Sequence, residues 1–199
     1  MKKAVILGSC IILLIAISLI LIYVFTYERA YVSKNYGNYS QEEYMEFADL
    51  VVAVKVIKNV ETKYTNPDFT IKSTINDNEI ARNELVTYSL VKVKDVIKGD
   101  VKIDEEILIK EFGGKYGNTK IVVDNSEVVK KGEEYIMFLF KDISDIEGSS
   151  KEYYELSNPY RSKFKYSKDI NQYVNVNDNS QKFSIQDFKA MYEEIKIQQ

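Results

Sequence analysis

Histidine and tryptophan are absent from the chain, and its single cysteine is Cys10. Without histidine, Ser-His-Asp and Cys-His nucleophile systems are excluded, as is every zinc site with a histidine ligand. A single cysteine also excludes an intramolecular disulfide, so the hydrophobic core has to stabilise the fold unaided. Proline occurs only at Pro67 and Pro159, and the chain therefore contains no LPxTG-like signal for sorting to a cell wall.

An excess of basic residues is also lacking. All 30 acidic residues but only 25 of the 27 basic residues follow Phe25, so this part of the chain has a formal net charge of −5. A nucleic-acid-binding surface needs a basic patch or stripe. We therefore expect no nucleic-acid partner. The number of residues after Phe25 suits one domain of ordinary size.

The uncharged run from Ala4 to Phe25 predicts a single membrane-spanning helix. Fifteen of its 22 residues are Ile, Leu, Val or Phe, and as a helix it spans roughly 33 Å, close to the ~30 Å hydrocarbon core of a bilayer. Lys2 and Lys3 precede the run, and the positive flank of such a signal anchor stays in the cytoplasm. We therefore expect a single-pass protein of the cell membrane with a cytoplasmic N-terminus at residues 1–3, a transmembrane helix at 4–26, a stalk at 27–39 and an extracytoplasmic β-barrel domain at 40–199.

Three other interpretations of this run remain. A cleaved secretory signal has a shorter apolar region of about 7 to 15 residues and a small-x-small cleavage site, which is missing here. Lipidation at Cys10, within the lipobox-like Leu7-Gly8-Ser9-Cys10, is disfavoured because most of the apolar run follows the cysteine. One small-xxx-small pair, Ala4 and Gly8, leaves helix dimerisation open.

Beyond the anchor the pattern predicts a short helix, a series of strands and a closing helix. Ser40 and Glu43 predict a capping box at the start of the first helix, and Ser184 and Asp187 predict another at the start of the last. Strand candidates rich in β-branched and aromatic residues lie between them, at 48–57, 85–97, 106–112, 120–123, 135–140, 153–156, 163–166 and 173–176. Residues 59–83 show little regular spacing and are expected to form a long loop or a ragged hairpin.

Three of these segments carry more specific information. The valine-rich run 48–57 and the six apolar residues of 135–140 predict strands buried on both faces. In 85–97 the apolar residues change faces near Leu90, so either both faces are covered or a bulge lies there. The last helix has an apolar stripe that predicts an integral wall of the domain and not a mobile tail. The stripe comprises Ile185, Phe188, Met191, Tyr192 and Ile195.

The predicted fold class is mainly β (α+β), either a small OB-like barrel or a curved antiparallel sheet. A short N-terminal helix and a longer C-terminal helix flank the strands, and one transmembrane helix precedes them.

Four short motifs follow one another in this part of the chain. They are Ala48-Asp49-Leu50-Val51-Val52, Thr87-Tyr88 to Ile97-Lys98-Gly99, Gly113-Gly114 and Gly132-Glu133-Glu134-Tyr135-Ile136-Met137-Phe138-Leu139. This succession resembles exported bacterial proteins of unknown function with an OB-like barrel, a group that is similar to the netrin and tissue-inhibitor-of-metalloproteinase domain. The resemblance covers roughly residues 45–170. Those inhibitors reach the protease zinc with a free N-terminal cysteine, and because no cysteine follows the anchor here, that mechanism is not implied.

Several groups of residues could carry chemistry, and each also has a purely structural interpretation. Gly113-Gly114-Lys115-Tyr116-Gly117 lacks the spacing of a phosphate loop and predicts a hairpin turn. Asn175-Val176-Asn177-Asp178-Asn179 offers oxygen ligands for calcium but only one carboxylate, and we expect a solvated turn. Adjacent residues point apart on a strand, so three acidic pairs are expected to form solvated faces. They are Glu105-Glu106, Glu133-Glu134 and Glu193-Glu194.

The remaining features leave three classes of function open. A Ser-Lys nucleophile pair survives the lack of histidine, although nothing in the sequence distinguishes one serine. The sixteen tyrosines can line a carbohydrate or peptide groove, or fill a core and its rim. We expect a membrane-anchored extracytoplasmic binding or interaction module without catalytic activity, cofactor or metal, whose partner is a protein, an envelope polymer or a small ligand. The alternatives are an extracytoplasmic hydrolase that uses carboxylates or a Ser-Lys pair, and an accessory subunit of a membrane complex.

Overall fold

The computed structural model describes residues 15–18, 28–32, 39–65, 84–142, 153–156 and 158–198. Within these ranges the strands are β1 (Glu28–Val32), β2 (Leu50–Tyr64), β3 (Leu85–Lys98), β4 (Glu106–Phe112), β5 (Gly114–Tyr116), β6 (Thr119–Val123), β7 (Glu134–Asp142), β8 (Tyr153–Glu155), β9 (Lys163–Ser167), β10 (Gln172–Asn175) and β11 (Lys182–Phe183). Besides the helical residues 15–18, the helices are an N-terminal helix Gln41–Phe47, a short helix Pro159–Ser162 and a C-terminal helix Ile185–Ile197. The prediction of a mainly β fold with a few short helices is confirmed.

The predicted membrane anchor lies largely outside the described residues. Of residues 4–26, only the helical residues 15–18 are described. In the part of the chain that the structure describes, no helix combines the length and the apolar character needed to cross a membrane. The anchor therefore stays a prediction.

Two sheets make up the described strands. β1, β6 and β5 form a three-stranded sheet in that order, and the other strands form an eight-stranded sheet in the order β11-β10-β9-β7-β2-β3-β4-β8. The last of these strands, β8, pairs in parallel with β4 and antiparallel with β7. Because β2 and β3 lie between β7 and β4 in the strand order, the large sheet curves back on itself, as predicted for a curved sheet.

The strands β2 and β7 are covered on both faces. On one face Val52 and Met137 belong to the core cluster that fills the inside of the curved sheet. On the other face Val51 and Phe138 belong to a second cluster, which the N- and C-terminal helices cover. All four side chains are fully buried, and burying a side chain of this kind stabilises the fold by about 1.5–3 kcal/mol. The prediction that the runs 48–57 and 135–140 form strands buried on both faces is therefore confirmed.

Both predicted capping boxes are present. The Ser40 hydroxyl accepts from the Glu43 N–H at 3.2 Å, and the Glu43 carboxylate accepts from the Ser40 N–H at 2.6 Å. Ser184 and Asp187 exchange the same two bonds, also at 3.2 and 2.6 Å. These bonds satisfy N–H groups that the first turn of a helix leaves without a partner, which fixes where each helix begins.

The C-terminal helix is a wall of the domain, as its apolar stripe predicts. The Phe188 side chain is fully buried, and its ring centroid lies 5.0 Å from that of Phe164 and 5.9 Å from that of Phe138. Phe183, just before the helix, lies 5.1 Å from Phe188 and forms the predicted staple. These aromatic contacts join the helix to β7, β9 and β11.

The predicted bulge near Leu90 of β3 is not found there, because the bulges of the β2–β3 pair lie at other positions. Side chains of β3 are buried at every position from Leu85 to Ser89, so both faces of this strand are covered there. The register shifts place four extra residues in the pair. They are Ile57 and Val60 on β2, and Lys94 and Ile97 on β3. Of the two alternatives for β3, coverage of both faces is therefore correct, and the bulge closest to Leu90 belongs to the opposite strand.

The predictions of a loop or ragged hairpin at 59–83 and of a stalk at 27–39 are wrong in part, because both segments contain strand residues. β2 continues to Tyr64, so residues 59–64 pair with β3, whereas residues 66–83 lie outside the described part. Within the predicted stalk 27–39, Glu28–Val32 forms β1 and pairs in parallel with β6. Strand formation depends strongly on the neighbouring strand, and in both cases that neighbour is distant in sequence.

Candidate functional site

The side chains of β3 and β4 that alternate with core residues form one outward surface. Val91 and Val93 of β3 and Ile107 and Ile109 of β4 belong to the inner core cluster. The residues between and beside them point to the opposite side, because successive side chains of a strand alternate. We call this side the outer face. Its residues on the two strands are Val86, Tyr88, Leu90, Lys92, Glu106, Leu108, Lys110 and Phe112.

A groove of about 490 Å³ lies on the outer face. Its floor contains a row of three residues in register, since Lys58 pairs with Leu90 and Leu90 pairs with Leu108. Val60 and Tyr154 also line the groove, and 51% of Val60 is exposed to solvent. Four of these five residues present apolar or aromatic side chains, so the middle of the groove is a hydrophobic surface.

The bulges of β2 shape this groove. Lys58 follows the extra residue Ile57, and Val60 is itself an extra residue in the β2–β3 pair. A bulge bends its strand and increases the local twist. The two bulges therefore curve β2 beside β3 at the point where the groove lies.

Charged residues of both signs surround the hydrophobic floor. Glu105 and Glu106 line the groove and are exposed, as is Lys58. Lys92, which is opposite Glu106 in the register, forms a 3.0 Å ion pair with Asp104. An apolar centre with a polar rim is the usual arrangement of a protein–protein interface.

An ion-pair cluster borders the groove along β4. The Lys110 ammonium donates to Asp142 at 3.1 Å and to Glu155 at 2.8 Å, which ties β4 to both β7 and β8. Partial burial alone would lower the pKa of Lys110, but its bonds to Glu155 and Asp142 raise that pKa well above the ordinary value. Lys110 therefore stays charged, and the cluster holds the ends of three strands together.

Two tyrosines pack around this lysine. The Tyr153 ring centroid lies 5.5 Å from the Lys110 ammonium and 5.6 Å from the Tyr88 ring, edge to face. Only 6% of Tyr88 and 4% of Tyr153 is exposed, and burial raises the pKa of the Tyr88 hydroxyl. These rings are thus packing elements beside the groove and not open platforms for a ligand.

The structure brings one serine and one lysine together in the interior. The Lys163 ammonium lies 3.4 Å from the Ser126 hydroxyl, and it also donates to the Glu111 carboxylate and the Glu127 carbonyl, each at 2.6 Å. The second Glu111 oxygen accepts from the Val129 N–H at 2.9 Å. An ammonium that donates to three acceptors has no lone pair with which to take a proton from serine.

The space beside this lysine is too small for a substrate. The cavity has a volume of about 10 Å³, enough for one water molecule. It is lined by Glu111, Phe112, Val123, Ser126, Leu156 and Pro159. The side chains of Lys163 and Glu111 are 1% and 3% exposed. The arrangement is that of a buried structural ion pair, and it gives the Ser-Lys hydrolase alternative no support.

The acidic pairs do not form paired carboxylates. Glu133 accepts from Lys165 at 2.5 Å, and Glu134 lies 3.6 Å from Lys55, so each carboxylate of this pair has its own cation. The four glutamates of the other two pairs are exposed, as predicted. In the described part of the chain, no group of three or more histidine, cysteine, aspartate or glutamate side chains is placed to hold a metal ion.

The two remaining motifs form turns. The glycine-rich segment provides β5 and the turn into β6, with which it pairs antiparallel, and Gly117 in that turn has a φ of 57°. The predicted hairpin is therefore confirmed. The Asn175 side-chain oxygen accepts from the N–H groups of Asn177 and Asp178, at 2.8 and 3.2 Å. The Asn175 side chain therefore closes the predicted turn. The same oxygen would have to be a ligand if the segment bound calcium.

Neither a known protein family nor a characterised protein matches this chain. The resemblance to exported proteins with an OB-like barrel therefore stays a prediction.

The groove residues are not apparent from the sequence. Lys58 follows the predicted strand 48–57 and Val60 falls within the predicted loop 59–83, whereas both belong to β2 (Leu50–Tyr64), so the prediction does not place them beside Leu90. The alternation of Val60, Thr62 and Tyr64 with charged residues is the local signal that could have extended β2.

Proposed function

We propose that this chain is a membrane-anchored, extracytoplasmic binding module built on an OB-like barrel, without catalytic activity, and that its groove on the outer face binds a polypeptide partner. The observation that carries this proposal is the groove itself. It combines a hydrophobic floor with a rim of mixed charge, on a sheet face away from the helices that pack over β2 and β7.

The order of strand pairing supports the OB-like barrel. An OB-fold is a five-stranded Greek-key barrel that binds its ligands on the face of the second and third strands. Here β7, β2, β3, β4 and β8 pair in a cycle, because β8 pairs with both β4 and β7. In chain order β3 and β4 are the second and third of these five strands. The groove therefore lies where an OB-like barrel binds its ligand.

Three observations favour a polypeptide over other polymers. The groove is lined by two acidic residues, Glu105 and Glu106, and by one lysine, so it lacks the positive charge that a nucleic acid requires. A glycan would stack on open aromatic faces, but Tyr88 and Tyr153 are buried, and Tyr154, which lines the groove, is half-buried and packs against the inner core cluster. Leucine and valine side chains on the floor suit the apolar side chains of a protein segment.

The location rests on the sequence. The uncharged run Ala4–Phe25 has the length of a membrane span, and Lys2 and Lys3 before it place the N-terminus in the cytoplasm. If the partner is itself a membrane protein, the chain acts as an accessory subunit, and the same groove carries the contact.

Site-specific photocrosslinking in living cells tests the proposal. A photoreactive amino acid at Leu108, on the groove floor, is expected to give a discrete crosslinked band with one protein. The same amino acid at Ile170, which is 43% exposed on the β9–β10 side, is the control. We expect no band from that position.

A second substitution shows whether a crosslink reports groove binding. Val60→Glu puts a charge on the hydrophobic floor without touching the core, so it is expected to abolish the Leu108 crosslink at unchanged protein level. Bands of the same intensity from Leu108 and Ile170, or a Leu108 band that survives Val60→Glu, would show that the groove is not the binding surface.

A further inference from the structure

The groove on the outer face has an unpaired charge on each side of its floor. Lys58 lies on β2 at one side, and Glu106 lies on β4 at the other side. Both side chains are exposed, and neither has an ion-pair partner among the residues that the structure describes. The groove therefore offers one positive and one negative charge on opposite sides of a hydrophobic floor.

The neighbouring charged residues interact within the chain. Lys92, which is opposite Glu106 in the register, forms its ion pair with Asp104 at 3.0 Å. Glu105, which also lines the groove, directs one carboxylate oxygen to the Lys102 N–H at 2.8 Å, inside its own turn. The two unpaired charges of the groove are therefore the ones left to contact a partner.

The strand register determines how far apart these two charges lie. Lys58, Leu90 and Leu108 form one row across β2, β3 and β4, and Glu106 is two residues away from that row along β4. Neighbouring strands are about 4.8 Å apart, and each residue rises by about 3.4 Å along a strand. The backbones at Lys58 and Glu106 are therefore separated by about 10 Å across the strands and about 7 Å along them.

This arrangement is complementary to a second copy of itself. In a two-fold symmetric pair, residue i of one copy contacts residue j of the other, and j contacts i. The rotation that brings Lys58 of one copy against Glu106 of the other also brings Leu90 against Leu108, because the two leucines occupy neighbouring strands between those charges. The ion pair and the apolar contact are therefore each made twice.

We propose that the groove binds the groove of a second copy of this chain in a two-fold symmetric dimer. This inference rests on the proposed function, in which the groove binds a polypeptide, and it names that polypeptide. Val60, which is 51% exposed at the side of the floor, adds an apolar contact. Anchored copies share one membrane, which raises their effective concentration. The dimer therefore forms in the membrane and dissociates when the protein is purified and diluted.

Two full-length copies with different tags, expressed in the same cells, test the proposal. One copy carries the photoreactive amino acid at Leu108, and the crosslinked band is probed for both tags. We expect a band that contains both tags and has the mass of two chains. Lys58→Glu in both copies, or Glu106→Lys in both copies, is expected to weaken this band by about tenfold or more at unchanged protein level, because each contact then joins like charges.

A mixture of the two variants is a test specific to a two-fold interface. With Lys58→Glu in one copy and Glu106→Lys in the other, both contacts again join opposite charges, so the band is expected to return to nearly the wild-type intensity. Lys168→Glu and Glu42→Lys make the same charge changes at exposed positions outside the groove. Each of these controls, present in both copies, is expected to leave the band unchanged.

The outcomes separate this inference from the proposed function. A Leu108 band that contains only one tag together with a different protein would overturn the dimer and leave the groove as a binding surface. If Leu108 gives no band, both the dimer and the proposed function are overturned. The dimer is also overturned if a two-tag band keeps its intensity in Lys58→Glu and Glu106→Lys, or if the mixture stays as weak as either variant alone.

Discussion

At the scale of single residues, the buried pair of Lys163 and Glu111 makes the fold sensitive to a single charge-removing substitution. The two charged groups are 2.6 Å apart and nearly inaccessible to solvent. Removing one member of such a pair leaves the other charge uncompensated, which typically costs about 3 to 5 kcal/mol. Lys163→Met is therefore expected to lower the free energy of unfolding by about that amount, measured by urea denaturation of the outer domain from Tyr27 onward.

Two comparisons make this result interpretable. Lys163→Met/Glu111→Leu leaves no unpaired charge and is expected to recover most of the lost stability. Lys165→Met removes the cation of the exposed pair with Glu133, and such pairs contribute at most about 1 kcal/mol. A Lys163→Met variant as stable as Lys165→Met would show that the buried pair is not the constraint that its geometry indicates.

Glu127 makes the stability of the domain depend on pH. Its bonds to Lys120 and Lys130 lower its pKa from 4.5 to about 2. A carboxylate with a lower pKa in the folded state stabilises the fold above the unfolded pKa, and this stabilisation is lost as the pH falls through the folded pKa. We expect the wild type to lose this contribution between about pH 4.5 and 2.

Glu127→Gln tests this dependence through urea midpoints recorded at decreasing pH. The variant is expected to be less stable than the wild type at pH 7 and to show a shallower decline in acid. Glu42→Gln, at an exposed position of the N-terminal helix, is the control and should follow the wild-type slope. Parallel curves for wild type and Glu127→Gln would contradict the assignment.

At the scale of elements, the C-terminal helix contributes to stability through the face that carries Phe188. That ring is fully buried, whereas Ile197 on the same helix is 83% exposed. Truncating a buried phenylalanine typically costs about 3 to 5 kcal/mol, and a change at an exposed position is usually within about 0.5 kcal/mol. Phe188→Ala should therefore lower the thermal midpoint by many degrees and Ile197→Ala should hardly change it. Equal midpoints would show that the helix is not part of the domain wall.

The pairing of β1 predicts that the folded domain begins before Glu28. β1 (Glu28–Val32) pairs with β6 along five register positions, so a fragment that starts at Ser33 loses one strand of the three-stranded sheet. We expect this fragment to be less stable in urea than one that starts at Tyr27, with faster amide hydrogen exchange in β6. Identical exchange of β6 in the two fragments would show that β1 does not protect it.

The elements that the sequence predicts are those whose determinants are local. Ser40 and Ser184 begin helices through bonds to residues three positions away, and the apolar run of β7 predicts a central strand because six consecutive apolar residues have to be buried on both faces. The row of Lys58, Leu90 and Leu108 is different, because it exists only once the bulge at Ile57 sets the register of β2 against β3. No local pattern specifies that register, and the groove could therefore not be predicted.

At the scale of the whole molecule, the proposed groove and the terminal helices lie over different strands of the large sheet. The N- and C-terminal helices pack over Val51 of β2 and Phe138 of β7, while Leu90 of β3 and Leu108 of β4 line the groove. This division leaves the groove accessible to a partner.

Cysteine labelling in intact cells tests the central claim of an extracytoplasmic module with an occupied groove. In a chain with Cys10→Ser, a single cysteine replaces either Leu108 in the groove or Ile103, which is 60% exposed outside it. A membrane-impermeant maleimide is expected to label Ile103→Cys in intact cells. It should label Leu108→Cys poorly in cells but readily in the purified protein, because the partner covers the groove. Labelling of Ile103→Cys only after lysis would contradict the extracytoplasmic location. If the labelling yield in cells, divided by the yield in the purified protein, is the same for Leu108→Cys and Ile103→Cys, binding in the groove is contradicted.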